Sequence, residues 1–320
     1  MKLHAHRQIS LLGDDVFWRN LIKILVSRFL EMVKVRKAVI TAAGLGTRLL
    51  PVTKEIPKEM LPIFVRSRSN ECLLKPLIQV IFEQLYSIGI REYFIVVGRG
   101  KRAIEDHFTP DLGFINLLRG RGKNNYAEEM ERFYNMVYDS IVVFLNQPEP
   151  KGFGDAVLRA RGLVDETFIV HAGDTYIASS NCEHLDKLLE VHSRHGCSAT
   201  LLVMDVDDPS PYGVIGGEMI GEDVWMVKRV EEKPQKPWSN IAILPVYVFE
   251  TEIFECLSKV GPGVGGEIQL TDGIGCLLEV EKKVMAVKLP NNIARLDIGN
   301  PKTLWKALET SYHLSSETTI

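Results

Sequence analysis

The chain has 320 residues, 46% hydrophobic and 25% charged, which is ordinary for a globular protein able to bury one large α/β core or two smaller ones. Its formal net charge of −3 at pH 7 argues against nucleic acid as the main partner, because such proteins usually carry a basic excess. The five cysteines form no C-x-x-C pair, which argues against zinc ribbons and thioredoxin-like sites and indicates reduced thiols in a cytoplasmic protein.

Residues 1–35 precede the first strand pattern and are interpreted as an N-terminal extension. Phe17, Leu21 and Ile24 recur at helical spacing, but the apolar run is too short to span a bilayer and lacks a signal-peptide cleavage site, so no membrane partner is expected. Two interpretations stay open: an amphipathic helix that covers the body of the protein or a partner, and a translated upstream segment with the natural start at Met32. We favour the second because the fold pattern begins at Arg36. The intact mass of the native protein would decide between them.

Strand patterns alternate with helical patterns from residue 36 to 312, which predicts one α/β domain with a Rossmann-like, mainly parallel sheet flanked by helices. The predicted strands are 37–41, 93–97, 141–145, 168–171 and 199–203, and the predicted helices are 76–88, 102–108, 154–161, 182–195 and 302–312. Between residues 214 and 248, short strand patterns with Gly and Pro predict a small, more antiparallel, β-rich subregion. Residues 313–320 are expected to form a C-terminal tail.

A glycine-bearing segment follows the first predicted strand directly. Gly44 and Gly46 lack Cβ atoms, so their backbone N–H groups can approach a ligand closely, and Arg48, Lys54 and Lys58 place positive charge nearby. The segment matches neither the P-loop pattern nor G-x-G-x-x-G. It therefore predicts a polyphosphate cradle of a different kind.

The full pattern of this segment, A-G-L-G-T-R-L-L-P-x-T-K-x-x-P-K-E-M-L-P at residues 43–62, resembles the sugar-1-phosphate nucleotidyltransferases, and among them the bacterial and archaeal UTP–glucose-1-phosphate uridylyltransferases. Further motifs follow in family order: Q-P-E-P-K-G-F-G-D-A-V at 147–157, A-G-D at 172–174, Y-G-V at 212–214, E-K-P at 232–234, S-N-I-A at 239–242, G-E-I-Q-L-T-D at 266–272 and L-D-I-G-N at 296–300. The resemblance covers nearly the whole chain outside the N-terminal extension.

The resemblance implies transfer of a uridylyl group from UTP to glucose 1-phosphate, with release of pyrophosphate. Because the attacking phosphate is already an anion, the catalytic problem is charge repulsion, which fixed cations and positioning relieve. Arg48 and Lys58 match family positions that contact the triphosphate, and Arg48 is expected to hold the β- and γ-phosphates. Asp174 and Asp297 match the family's aspartate pair that holds Mg²⁺, a cation that prefers oxygen ligands.

The resemblance also assigns the acceptor side of the site. Lys233 is expected to act catalytically by binding the phosphate of the sugar 1-phosphate, and Glu232 to accept hydrogen bonds from sugar hydroxyls. Gly213 and Asn240 are expected to lie beside the sugar, so the resemblance makes the β-rich subregion the sugar-binding part of the fold.

On the nucleotide side, Gln147 and Gly152 resemble the residues that read the base. Ala43 and Gly44 would lie against the base and ribose, with Gly46 in the same loop. For Glu59, which follows Lys58, contact with the nucleoside and support of Lys58 both stay open.

Two alternatives to uridylyl transfer stay open. One is a thymidylyltransferase for the same sugar phosphate, because uracil and thymine differ by one methyl group, worth about 1–3 kcal/mol in a pocket. The other is a non-catalytic, sugar-nucleotide-binding regulatory protein on the same fold. Relatives commonly form dimers or tetramers, which implies a homo-oligomer. Residues 66–74 are longer than the family pattern, and roles in substrate access and in oligomer contacts both remain open for them.

Overall fold

The computed structural model describes residues 35–67 and 69–316. The predictions for the N-terminal extension, including a start at Met32, therefore lie outside the described residues apart from Val35, which is buried. The last helix runs to Ser316, so the chain segment predicted as a tail from residue 313 begins as helix.

Strands and helices alternate along the described chain, as the sequence pattern predicts. The strands are β1 (Lys37–Ala42), β2 (Pro62–Arg66), β3 (Cys72–Pro76), β4 (Glu92–Val97), β5 (Ile141–Asn146), β6 (Phe168–Ala172), β7 (Thr175–Ala178), β8 (Ala199–Asp205), β9 (Gly213–Gly221), β10 (Val224–Glu232), β11 (Ile241–Phe249), β12 (Val284–Lys288) and β13 (Ala294–Asp297). The helices are α1 (Leu77–Ser87), α2 (Arg102–His107), α3 (Leu112–Gly120), α4 (Asn124–Tyr138), α5 (Phe153–Leu158), α6 (Glu183–His195), α7 (Glu252–Lys259), α8 (Leu270–Glu279) and α9 (Pro301–Ser316).

A nine-stranded mixed sheet in the order β5-β4-β1-β6-β11-β8-β12-β10-β9 forms the centre of the described region. Strands β5, β4, β1 and β6 run parallel, as predicted, and β11 runs antiparallel between β6 and β8. The antiparallel pairing predicted between residues 214 and 248 is present, but β9, β10 and β11 are nine residues long rather than short, and they belong to the main sheet. Strand β11 takes a central position because nearly every one of its side chains is apolar and buried.

The two faces of the sheet carry two hydrophobic clusters, because successive strand side chains point to opposite faces. On β1, Ala38 and Ile40 belong to one cluster, and Val39 belongs to the other. Helices α1, α4 and α6 contribute to the first cluster, and α5, α7 and α8 to the second. The prediction of a sheet flanked by helices is thus confirmed.

Two smaller strand pairs matter for the site. Strands β2 and β3 form an antiparallel pair, and residues 72–74 of the lengthened segment belong to β3. Strands β7 and β13 pair antiparallel, with Asp297 opposite Thr175. This second pairing brings Asp297, far along the chain, close to the loop that follows β6.

Helices α3 and α4 occupy a stretch for which the sequence pattern predicts no element. Helix α3 buries only Ile115 and exposes several apolar side chains, so its pattern lacks a clear buried face. Among the described residues, no helix combines the length and the apolar character needed to cross a bilayer.

Candidate active site

A cavity of about 520 Å³ opens beyond the C-terminal ends of β1 and β6. Ligands of open α/β sheets bind at this edge, where the strands end and the loops diverge. The predicted site residues that line the cavity are Ala43, Gly44, Gly46, Arg48, Lys58, Glu59, Gln147, Gly152, Asp174, Glu232 and Lys233.

The glycine-bearing loop after β1 turns sharply at Gly46. Its φ of 66° lies in the left-handed region, and a Cβ there would lie 3.1 Å from Cβ of Thr53. The Thr53 hydroxyl donates a hydrogen bond of 2.7 Å to the Gly46 carbonyl, which ties the two ends of the loop together. Arg48 follows in a short 3₁₀ turn and is exposed at the cavity wall.

Lys58 and Asp174 form an ion pair inside the cavity, with the Lys58 ammonium donating to Oδ2 of Asp174. Burial disfavours both charges, but their mutual attraction prevails, so the pKa of Lys58 lies above its ordinary value and that of Asp174 below it. Both groups therefore keep their charges at neutral pH.

Asp297 lies next to this pair because β13 is paired with β7. A Cβ added at Gly299 would lie 3.2 Å from Oδ2 of Asp297 and 3.4 Å from Nη2 of Arg48, so both side chains converge on that glycine. Burial raises the pKa of Asp297, and the Asp174 carboxylate adds to the effect. The structure thus brings Asp174 and Asp297 close together, although Asp297 itself does not line the cavity.

The carboxylates of Asp174 and Asp297 are the candidate ligands for a divalent metal. Within residues 35–67 and 69–316, no group of three or more His, Cys, Asp or Glu side chains is arranged to hold a metal ion. Two carboxylates fit a hard cation such as Mg²⁺, which usually takes its other ligands from water and substrate phosphates.

Gln147 lines the cavity directly after the C-terminal end of β5 and is only 4% exposed. Its side-chain NH₂ donates to the Gly152 carbonyl at 3.1 Å and to Oδ2 of Asp155 at 2.8 Å. Both amide protons are thus used, and Oε1 is the atom that the Gln147 side chain has left for a ligand. The other carboxylate oxygen of Asp155, Oδ1, accepts a hydrogen bond from Arg159.

Gly152 packs tightly against the segment before α8. Its φ is 107°, and a Cβ would lie only 2.6 Å from the Ile268 carbonyl and 2.7 Å from Cβ of Glu267. The Ile268 N–H donates to the Lys151 carbonyl at 2.7 Å. Gly152 therefore joins two motifs that are distant in sequence, a packing role that the sequence analysis did not assign to it.

Glu232 and Lys233 line the cavity at the end of β10, with 2.9 Å between Oε1 of Glu232 and Nζ of Lys233. The Thr271 hydroxyl donates to Oε2 of Glu232 at 2.6 Å. A Cβ at Gly213 would lie 2.8 Å from Oγ1 of Thr271 and 2.9 Å from Oε2 of Glu232. Gly213 lies outside the cavity lining, and its lack of a side chain leaves space for the Glu232–Thr271 hydrogen bond.

Asn240 and Glu59 have contrasting positions. Asn240 is exposed and does not line the cavity. Glu59 is 1% exposed and accepts from Lys101 at 2.8 Å. This buried ion pair supports a structural role for Glu59 in holding the Lys58 turn.

Other residues at the site were not singled out from the sequence. Glu267 and Gln269 line the cavity, and the G-E-I-Q-L-T-D motif was the signal that could have identified them. Arg295 donates to the Tyr212 hydroxyl at 3.1 Å and lies 3.8 Å from Asp297. Lys101 follows β4 without a motif of its own, so only the tertiary structure could reveal its contact with Glu59.

Comparison with known proteins is consistent with this geometry. Residues 37–312 match the family model described as nucleotidyl transferase, and the chain therefore belongs to that family. It is 39% identical over 275 residues to the UTP–glucose-1-phosphate uridylyltransferase of Streptococcus pneumoniae serotype 4, an alignment that covers 83% of this chain and 87% of the relative.

Solved structures of similar proteins share the fold. A UDP-glucose pyrophosphorylase complexed with UDP-glucose is 31% identical, with a TM-score of 0.76 over 88% of this chain and 99% of that one. The UTP-bound UGPase of Acinetobacter baumannii is 26% identical, with a TM-score of 0.74 over 89% of this chain and 95% of that one. These matches confirm the predicted family and fold, and enzymes of this kind generally use a divalent metal.

Proposed function

We propose that the protein transfers a uridylyl group from UTP to glucose 1-phosphate, giving UDP-glucose and pyrophosphate. The observation that carries the proposal is that one cavity contains the glycine-bearing loop with Arg48, the Lys58–Asp174 pair and the Glu232–Lys233 pair. Relatives named UTP–glucose-1-phosphate uridylyltransferase align over most of their length with this chain, which supports the same pair of substrates.

At the triphosphate end, Arg48 and Lys58 supply the positive charge that the reaction needs. Arg48 would hold the β- and γ-phosphates and stabilise the pyrophosphate as it leaves. Lys58, which remains charged beside Asp174, neutralises the α-phosphate while the acceptor phosphate oxygen attacks.

Asp174 and Asp297 would hold Mg²⁺. When bound, the ion would offset the negative charge of the phosphates that meet in the cavity. In the structure Asp174 is paired with Lys58, and this pairing prevents the carboxylate from being buried without a counter-charge.

At the acceptor end, Lys233 would bind the phosphate of glucose 1-phosphate and Glu232 would accept hydrogen bonds from the sugar hydroxyls. The Thr271 hydroxyl fixes one carboxylate oxygen of Glu232, so the carboxylate keeps one orientation when the sugar binds. A preorganised acceptor group of this kind reduces the ordering cost of binding.

The nucleotide base would be selected by Gln147. Because both of its amide protons are engaged, it presents an acceptor oxygen, which suits the N3–H of uracil and opposes cytosine, whose N3 is itself an acceptor. Thymine carries the same N3–H group. The thymidylyltransferase alternative therefore stays an outcome of the assay.

A pyrophosphate-release assay with Mg²⁺ tests the proposal, with UTP, dTTP, CTP, GTP and ATP crossed against several sugar 1-phosphates. We expect the highest kcat/KM with UTP and glucose 1-phosphate. Absence of turnover with every pair would contradict the enzyme assignment, and a clear preference for dTTP would establish the thymidylyltransferase instead.

Variants assign the roles within the site. Arg48→Ala is expected to lower kcat/KM by about 100-fold or more, because it removes transition-state charge stabilisation. Lys54→Ala is the matched control, since Lys54 lies in the same loop but is 76% exposed and outside the cavity lining. Asp174→Asn and Asp297→Asn are each expected to abolish metal-dependent turnover, and full activity in either variant would remove that residue from the site.

We also propose that the protein acts as a homo-oligomer, a dimer or a tetramer, in the cytoplasm. The proposed oligomer is based on the dimers and tetramers that relatives commonly form. The proposed location is based on the absence of paired cysteine motifs, which indicates reduced thiols. Size-exclusion chromatography with light scattering tests the first proposal, and a monomeric mass at working concentration would contradict it.

A further inference from the structure

An indole ring is packed against the outer side of the acceptor end of the sheet. Residues 234–240 connect β10 to β11 and follow Lys233 directly. Because Glu232 faces the cavity and strand side chains alternate, Glu231 and Arg229 lie on the opposite face of β10. Trp238 folds back over that face.

Trp238 makes three specific contacts there. Its Nε1–H donates to Oε2 of Glu231 at 2.7 Å, and the same oxygen accepts from Nη2 of Arg229 at 2.7 Å. The Arg229 guanidinium carbon lies 4.3 Å from the centre of the indole ring, within the range of a cation–π contact.

The third contact requires a glycine on the neighbouring strand. Gly216 lies opposite Arg229 in the β9–β10 register, and a Cβ there would lie 2.6 Å from the indole carbon Cζ3. Gly216, Arg229 and Glu231 therefore form an indole seat, a name kept below for these three residues. Any larger residue at 216 would displace the ring.

Lys233, at the start of the same connection, has an unusual backbone conformation. Its φ is 42°, in the left-handed region that residues with a Cβ rarely adopt, and its N–H donates to the Tyr212 carbonyl at 3.0 Å. Pro234 follows, and a residue before proline normally prefers an extended backbone. Such a conformation persists only where the surrounding structure holds it in place.

We propose that Trp238 is a positioning residue for the acceptor phosphate. Held on the indole seat, it constrains residues 234–240 and keeps Lys233 in its left-handed conformation, with its ammonium 2.9 Å from Glu232 at the cavity. The inference rests on the proposed function in so far as Lys233 binds the phosphate of the sugar 1-phosphate. Arg48 and Lys58, which would bind the triphosphate, lie in the segment after β1 rather than on β10 or the connection after it. Displacement of Trp238 should therefore weaken the binding of the sugar phosphate selectively.

The test compares the KM values for the two substrates in Trp238→Ala, Trp238→Phe and Gly216→Val. We expect Trp238→Ala and Gly216→Val to raise the KM for glucose 1-phosphate about tenfold or more, while the KM for UTP stays within about twofold. Trp238→Phe keeps a ring over Arg229 but loses the N–H, so its KM for glucose 1-phosphate should lie between those of wild type and Trp238→Ala. Trp305→Ala is the control, because this tryptophan on α9 is 67% exposed and lies outside the site.

Equal increases in both KM values, or an unchanged KM for glucose 1-phosphate in folded Trp238→Ala and Gly216→Val, would overturn the inference. If wild type turns over another nucleotide and sugar 1-phosphate, the proposed function fails, and the same comparison with that pair still decides the role of Trp238. If wild type turns over no pair, calorimetric titration with glucose 1-phosphate replaces kinetics, and equal affinity of wild type and Trp238→Ala would overturn the inference.

Discussion

Gly152 is the cavity-lining glycine at which an added methyl group would meet the closest contact. Any Cβ at residue 152 would lie 2.6 Å from the Ile268 carbonyl, whereas ordinary contact begins near 3.4 Å. Gly152→Ala must therefore separate the two segments by about 0.8 Å, and overpacking of this kind usually costs about 1–3 kcal/mol. The φ of 107° adds backbone strain of about 1–3 kcal/mol.

We therefore expect Gly152→Ala to lose roughly 2–6 kcal/mol of the free energy of unfolding. Where the variant folds, kcat/KM for UTP should fall about 100-fold, because a displacement near 1 Å in positioning groups has effects of that size. The segments that move carry Gln147 on one side and Glu267 and Gln269 on the other.

Gly162→Ala is the matched control, since Gly162 also has a positive φ, 83°, but a Cβ there would meet nothing within 4 Å. Gly162→Ala should lower the free energy of unfolding by only about 1–2 kcal/mol, from backbone strain, and should keep full activity. Urea denaturation and steady-state kinetics measure both quantities. If Gly152→Ala were no worse than Gly162→Ala in stability and in kcat/KM, the reasoning about the close contact would be refuted.

Three further predictions concern other parts of the structure. Lys75→Met removes the buried ammonium that donates two hydrogen bonds of 2.9 Å to Glu83, although Glu83 keeps the Gln79 amide as a donor. Urea denaturation should therefore show a loss of about 1–3 kcal/mol, and a loss below about 0.5 kcal/mol would contradict the prediction. Burial lowers the pKa of His184 to about 3 from the ordinary 6.5, so the unfolded chain takes up the proton first and the free energy of unfolding falls as the pH drops below 6.5. His184→Gln should therefore remove about 2 kcal/mol of the stability change between pH 7 and pH 5. An unchanged pH dependence in this variant would contradict the prediction. In Asp155→Asn, the carboxylate that accepts a hydrogen bond from the Gln147 amide is lost, so the orientation of that amide is no longer fixed. The ratio of kcat/KM for UTP to kcat/KM for CTP should fall about tenfold, whereas an unchanged ratio would assign base selection to other groups.

Much of the fold was predictable because its signals are local. The buried strand 37–42, the glycines after it and the helical spacing of 77–87 each depend on residues close in sequence. The position of β11 was not predictable in the same way, since an apolar strand with turn residues around it fits an edge hairpin or the centre of a sheet. Its place between β6 and β8 follows from competition among all strands for burial.

The same division holds for the site. The sequence by itself determined the family, the glycine-bearing loop after the first strand and the set of charged residues around it, because motifs preserve the order and spacing of chemical groups along the chain. Only the tertiary structure decided that Asp297 lies beside Asp174, that Gly213 and Gly152 make room for other residues, and that Asn240 lies outside the cavity. These relations depend on strand pairing and on the space left by side chains far apart in sequence, and no local pattern specifies either.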